Sequence, residues 1–566
     1  MRIITLFIVL FFFQITGAQT PDWDWVRTMD GNLNNWARCV TVDNNGDVIV
    51  VIDFVGSSIS FGDITLTSDN PSHYYSEIAI IKYDNQGNVL WAKNYGGPKT
   101  DIPSAVTTDN TGNIYLTGQF EDAITFGSFT LNTNGKSGFI TKLDATGNTI
   151  FAQKIIQEDA VTAFYNAIKT DASGNVYLTG SFNTATATFG TISFTHDGWT
   201  ANTASVLRPY VAKMDSQGNY IWVKVPRSPN AETKTVVAYN LDIDAEGNVY
   251  VGGHFVCNTL QFGTIVLNKT TTGPGDKNIY LVKYDPNGNE IWARNAGSSS
   301  ENKSAHLWSV KTDLENNVYA AGHFVNDIRF DNITLQSPGS SGQLFVVKYD
   351  VNGNVLWAKT TINESGINQI QGLAIDEANN LYAAGLFSNI PQIDFGNEVV
   401  LTNPTPFEGA LFLVKFTPEG EAVWGQKALP FNGNCLVDIY CKSENEIYLS
   451  GSYASAMTFG NHAVEKRDGT YDHFLAKLAY NPLSTGEWNQ KGLKVYPNPV
   501  KELLTISQSE TFKTYVLYNV LGEKVKEGDI RAEQATIDVS SLSGGIYMLH
   551  LLNAKTKPEV LKIIKE

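Results

Sequence analysis

Apolar and polar residues alternate in short runs along most of this 566-residue chain. From Ala105 to Gly118, two such runs flank the turn Asp109-Asn110-Thr111-Gly112. Alternation over about four to eight residues marks a half-buried strand rather than a helix. The run recurs seven times, with Gly46, Gly174, Gly247, Asn316, Asn379 and Asn445 in the place of Gly112. The intervals average about 66 residues, a fixed period that predicts a repeat architecture. Gly and Asn tolerate left-handed backbone best, so each is predicted to close a hairpin.

Each repeat carries four strand-like segments. In the second they are strand A (105–108), strand B (113–120), strand C (139–143) and strand D (149–153). The A to B and C to D turns are both of the Asp-x-x-Gly-Asn type, in which Asp accepts turn hydrogen bonds and Gly supplies positive φ. Between B and C each repeat inserts a unit ending in Phe-Gly or Phe-Asp: Phe61, Phe126, Phe189, Phe262, Phe330, Phe395 and Phe459 lead these pairs. Strand D carries an aromatic residue, Trp91, Phe151, Trp222, Trp292, Trp357 or Trp424, in six repeats. The last repeat stops after strand C, while Trp25-Val26-Arg27-Thr28 matches Trp91-Ala92-Lys93-Asn94 in register. The expected fold is therefore all-β: a seven-bladed β-propeller over 19–480, closed by the N-terminal strand, which supplies the missing strand D and removes the open edges.

Composition agrees with many short strands, since Gly (48), Tyr (25) and Phe (29) are abundant. A net charge of −16 speaks against a nucleic-acid partner, which needs clustered Lys and Arg. Residues 1–18 read as a secretory signal peptide, with Arg2, an apolar run from Ile3 to Phe13, and Thr16-Gly17-Ala18 before the cut. That run is shorter than the roughly 20 residues a membrane span needs. The mature chain is expected to begin near Gln19, to leave the cytoplasm and to hold no transmembrane segment. Its four cysteines are too few for a disulfide framework. Cys435 and Cys441 lie too far apart along one strand to pair, whereas Cys39 and Cys441 approach each other if the first and last repeats are neighbours.

The repeat resembles the bacterial β-propeller repeats called SBBP over about residues 20 to 480. Asp244 to Gly253, Phe262-Gly263 and Lys283 to Trp292 carry that pattern, and the last repeat departs from it with Lys442 for the turn Asp and Asn445 for the Gly. The resemblance implies a fold and no single activity. After a polar linker (481–491), residues 492–566 read as a small β-sandwich. Tyr496-Pro497-Asn498-Pro499, the Tyr518-Asn519-x-x-Gly522 unit and Gly545-Ile546-Tyr547 make this region similar to the type A C-terminal sorting domain of the type IX secretion system of certain Gram-negative bacteria. That similarity implies the secretion machinery as partner, export through the outer membrane, and a secreted or cell-surface location.

No catalytic motif, cofactor motif or metal cluster stands out. The turn aspartates read as caps of their own turns rather than calcium ligands, which would have to converge on one point. His254 and His323, both in Gly-His-Phe, read as packing residues. Asp285 to Trp292 resembles the tryptophan-docking motif of quinoprotein propellers, but those usually have eight docking blades, and many carry a Cys-Cys pair that this chain lacks. Strand order puts the D to A and B to C connections on one face, opposite the Asp turns. Variable loops on a rigid scaffold are where recognition sits. His73, Tyr74 and Tyr75, with His196, Asp197 and Trp199, are the candidate ligand-binding residues, and Asn295 to His306 forms a third variable connection. The expected function is a binding or adhesion module for a glycan or protein; the alternative is a polysaccharide hydrolase or lyase with carboxylates on the same face.

Overall fold

The computed structural model describes residues 20–565 apart from 32, 69, 71–73, 160–166, 196–205, 229–233, 272, 274, 299–303, 338–341, 363–365, 431–436, 467–470, 480–493, 498, 508–511, 520–522, 531–533 and 553–558. It is all-β, with no α-helix among the described residues. Two compact units divide the chain between Tyr480 and Asn481.

In the first unit the described residues form seven antiparallel sheets built on four-stranded meanders, each with strand A at one edge, and five smaller sheets of two or three strands. Sheet 4 is typical, with strands Val236–Ile243, Val249–Phe255, Asn278–Tyr284 and Glu290–Ala296. The other strands A are Asn35–Val42, Ile102–Thr108, Ala167–Thr170, Ala305–Thr312, Ile367–Ile375 and Val437–Ser443. Each touches the strand A of the next sheet, and that of sheet 7 touches that of sheet 1, so the contacts return to their start. The fourth strand of sheet 7 is Asp22–Thr28, paired antiparallel with Asp472–Ala479. Trp25 stands opposite Lys477, as Trp91 stands opposite Lys82 and Trp292 opposite Lys283.

The Asp turns explain why these sheets keep their register. Asp244 Oδ1 accepts from the backbone N–H groups of Glu246 (3.1 Å) and Asn248 (2.8 Å), and Oδ2 accepts from the Asn248 amide (2.8 Å) and the Tyr250 hydroxyl (3.1 Å). The Lys283 ammonium lies 3.6 Å from the same carboxylate and 4.9 Å from the Tyr250 ring centroid. This buried Asp–Tyr–Lys unit recurs in sheets 2 to 6. Sheet 1 has Ile49 for the Tyr, and there Lys82 binds Asp43 (2.7 Å) and Asp47 (3.0 Å). Sheet 7 has Lys442 for the Asp, and its Lys477 pairs instead with Asp24 of the N-terminal strand at 3.6 Å. The sequence expectation of a left-handed residue in every A to B turn holds in six. Asn316 and Asn379 have φ +62°, but Asn445 is not among the positive-φ residues, because Glu444-Asn445 forms a two-residue turn beside a bulge.

Two devices join neighbouring sheets. The strand D indole donates to a carbonyl in the next C to D turn: Trp222 to Pro286 (3.1 Å), Trp292 to Val351 (3.0 Å) and Trp357 to Pro418 (3.0 Å). Each ring lies on the glycine of that turn; a Cβ on Gly288 (φ +82°) would come within 2.8 Å of Trp222. At the seam from sheet 7 to sheet 1, Trp25 lies on Gly87, and Arg27 donates to the carbonyls of Gly87 and Gln86, both at 2.9 Å. The second device is the Phe-Gly unit. It forms a hairpin whose backbone pairs with the chain leaving the previous strand D, as in Gly96 with Thr125, Arg227 with Gln261 and Ala428 with Phe459.

The second unit contains a three-stranded sheet (Lys494–Tyr496, Leu503–Ser507, Gln534–Asp538) and a four-stranded sheet (Lys524–Asp529, Thr514–Asn519, Gly545–Leu552, Glu559–Lys565). They share one apolar core that includes Leu504, Ile506, Leu517, Ile537, Leu549 and Ile563. Tyr547 is buried there and donates to the Ser543 carbonyl (2.9 Å), whereas Tyr496, Pro497 and Pro499 are exposed. Gly545 has open space around it; Asn498 and Gly522 lie outside the described residues.

Candidate functional site

All seven strands A line one cavity of about 430 Å³. A local irregularity of the strands aims side chains into it. Arg38, Ser104, Tyr239, Trp308 and Gln371 each sit at a register shift, one residue in excess of the partner strand B. A bulged residue leaves the ladder and its side chain is re-aimed, and all five line the cavity. The cost falls on strand B, where the bulged backbone presses close. A Cβ on Gly253 would lie 1.9 Å from the Val237 carbonyl oxygen, and one on Gly322 would lie 1.8 Å from that of His306. Only glycine fits at these two places.

Two residues before the turn Asp, three neighbouring strands A place ionisable groups in one layer: Lys169, Asp242 and Lys311. The Lys169 ammonium is 3.7 Å from Asp242 Oδ1, and its charge acts on the nearby Lys311. The Lys169 side chain keeps 33% of its surface open although strands crowd it, because it projects into the cavity. Burial first, and then the charge of Lys169, pushes Lys311 down to about 8. Asp242 Oδ2 is occupied by the Thr312 N–H (2.9 Å) and hydroxyl (3.1 Å). Across the cavity, Asp438 accepts from the N–H groups of Val40 (2.9 Å) and Ile439 (3.0 Å), and burial pushes its carboxyl up. Arg38 pairs with Asp53 behind it. The Asp242 and Asp438 carboxylates are thus held in place by strand N–H groups, and Lys169 and Lys311 line the cavity beside them.

Beside the cavity, His306 stacks on His323 at 4.7 Å and meets His254 edge-on at 5.0 Å. Trp308 Nε1 donates to His323 Nδ1 (2.9 Å), which makes that nitrogen an acceptor. Burial holds His254 well below the usual histidine range, and holds His306 at about 3 and His323 at about 4. No group of His, Cys, Asp and Glu among the described residues is arranged to hold a metal. The rings pack, and they fix the Trp308 face of the cavity. Cys39 and Cys441 are free thiols, and Cys435 lies outside the described residues.

On the loop face, where strand A begins and strand B ends, Tyr74 is 83% exposed. Tyr75 accepts a hydrogen bond from Lys99 (3.1 Å), whose ammonium lies 4.7 Å from its ring centroid. His73, His196, Asp197 and Trp199 lie outside the described residues. Sequence reasoning missed Phe407, which is 90% exposed in the B to C connection of sheet 6, on a single turn, Pro406–Glu408. It also missed the cavity residues. Their signals were the glycines at the ends of strands B and the spacing of Lys169, Asp242 and Lys311 two residues before each turn.

Comparisons with known proteins bear on both units. Residues 494–566 match the secretion system C-terminal sorting domain family. That domain marks the protein for export by the type IX secretion system to the cell surface or extracellular space. An uncharacterized WD repeat-containing protein of Acanthamoeba polyphaga mimivirus is 23% identical over 543 residues; the match covers 79% of this chain and 38% of that protein. Among solved structures, a luciferin-regenerating enzyme is 10% identical, covering 64% of this chain and 88% of its own, with a TM-score of 0.29. PorZ, a surface component of the type IX secretion system of Porphyromonas gingivalis, is 9% identical, covering 95% of this chain and all of its own, with a TM-score of 0.18. Likeness of that order carries no argument about this chain's activity. No described helix is long and apolar enough to cross a membrane.

Proposed function

We propose that residues 19–480 form a seven-bladed β-propeller of the SBBP type that works, after type IX export, as an extracellular binding module for a glycan. The contacts of the seven strands A, which return to their start, support the propeller reading. The observation that carries the function is the makeup of the cavity: Tyr239 and Trp308, 4.7 Å apart, stand beside the amides of Asn240, Gln369 and Gln371. Aromatic faces with a few placed polar groups suit sugar rings, whose faces are apolar and whose edges are hydroxyls. Exposed Tyr74 and Phe407 extend the contact surface on the loop face. A glycan array run beside a reducing-sugar assay tests this reading. Retained glycan without product is expected; product would install the hydrolase or lyase alternative, and binding to proteins alone would remove the glycan.

A further inference from the structure

Resting on that reading and deepening it, we infer that the cavity takes an acidic sugar, a uronic acid residue or similar, with its carboxylate between Lys169 and Lys311. Two neighbouring ammonium groups offer six N–H donors in all. Asp242, the carboxylate beside them, lies 3.7 Å from Lys169, and its Oδ2 already accepts twice from Thr312. Asp438 accepts one backbone N–H on each oxygen, and its charge is shared between the two lysines. Lys311 forms no salt bridge among the described residues. Two adjacent like charges repel, and a carboxylate placed between them relieves the repulsion and accepts from both.

The setting favours a small anion over a neutral sugar. The protein carries a net charge of −16, yet three cationic side chains, Lys169, Lys311 and Arg38, line this cavity, and Asp438 is the one carboxylate among its lining residues. A low-dielectric recess lined in this way strengthens charge recognition. A volume of about 430 Å³ suits a monosaccharide or the end residue of a chain. The Asn240 and Gln371 side chains and the Trp308 ring line the same cavity; the amide oxygens accept from the Val310 (3.3 Å) and Val437 (2.9 Å) N–H groups, so the amides meet a ligand as donors.

The test is calorimetric titration of the full secreted chain with D-galacturonate, D-galactose, acetate and inorganic phosphate, in the wild type and in Lys169→Met and Lys311→Met. Galacturonate is expected to bind at least tenfold more tightly than galactose or acetate, and each lysine variant to lose at least tenfold. A second measurement needs no variant: reductive methylation of the wild type, read by peptide mass spectrometry, should slow at Lys169 and Lys311 when galacturonate is present. Equal binding of galactose, galacturonate binding indifferent to both variants, or undiminished methylation overturns the acidic-sugar assignment and leaves glycan binding standing. Phosphate binding as tight as galacturonate overturns the sugar part. If the glycan array also retains nothing, the binding reading itself falls.

Discussion

Removing Trp25 should open the seam between the last sheet and the first. Trp23 and Trp25 are 3% and 7% exposed and enter different cores, Trp23 beside Phe459 and Trp25 with Val40, Val50 and Tyr448. A buried aromatic withdraws about 150 to 250 Å² from water, worth roughly 4 to 6 kcal/mol at 25 cal/mol per Å². Truncation to Ala typically costs about 3 to 5 kcal/mol. Neither indole N–H has a partner among the described residues. The contribution of Trp25 is therefore apolar contact plus the Arg27 guanidinium 5.0 Å from its ring. Trp25→Phe, which keeps an aromatic ring, should thus cost less than Trp25→Ala, which should cost about 3 to 5 kcal/mol. Trp23→Ala should destabilise by a similar amount, since it is equally buried in the neighbouring core. Deleting residues 21–29 removes both, together with Asp24, the partner of Lys477, and should give aggregation from exposed sheet edges. The assays are urea midpoints for the point variants and melting with light scattering for the deletion. Unchanged melting and solubility after the deletion would refute the closing role of this strand.

Four further outcomes follow from the same contacts. Asp244→Ala leaves Lys283 buried and unpaired, and should cost about 3 to 5 kcal/mol in urea unfolding. Gly288→Ala combines φ +82° with a Cβ 2.8 Å from Trp222, and should cost about 1 to 3 kcal/mol by the same measurement. His473 is buried and burial holds it at about 3, below its ordinary 6.5. The unfolded chain then binds the extra proton first, so stability is complete above pH 6.5 and declines as pH falls toward 3. At pH 5 this histidine alone should account for about 2 kcal/mol, and His473→Gln should shrink the loss between pH 7.5 and pH 5 by that amount; an equal loss in both proteins would contradict the assignment. A chain ending at Tyr480 lacks the sorting domain and should stay inside the outer membrane on cell fractionation, whereas normal surface or medium levels would move the signal elsewhere.

The hairpins were readable because their chemistry is local. An Asp that caps its own turn and a Gly or Asn with positive φ announce themselves within five residues, and Trp25 could be aligned with Trp91 across the chain for the same reason. The seventh A to B turn escaped because Lys442 cannot accept turn hydrogen bonds, and the chain closed a shorter turn instead. The Phe-Gly units were visible as a pattern, but their pairing with the previous sheet was not, since backbone bonds between repeats leave no side-chain signature. The cavity was hidden for a related reason. A bulge at Tyr239 or Trp308 adds one residue without shifting the turn that follows, and Lys169 and Lys311, 142 positions apart in sequence, come together only because their strands A flank that of Asp242. Gly253 and Gly322 were the trace of those bulges, legible only once the pressing carbonyls are known.

A ligand held inside the ring of strands A is tested most directly by a crystal structure of the mature protein with D-galacturonate bound. Its carboxylate is expected within hydrogen-bonding distance of both Lys169 and Lys311, with the sugar ring toward Trp308 and Gln371. Density for the sugar only on the outer surface, with the cavity residues unengaged, would contradict it.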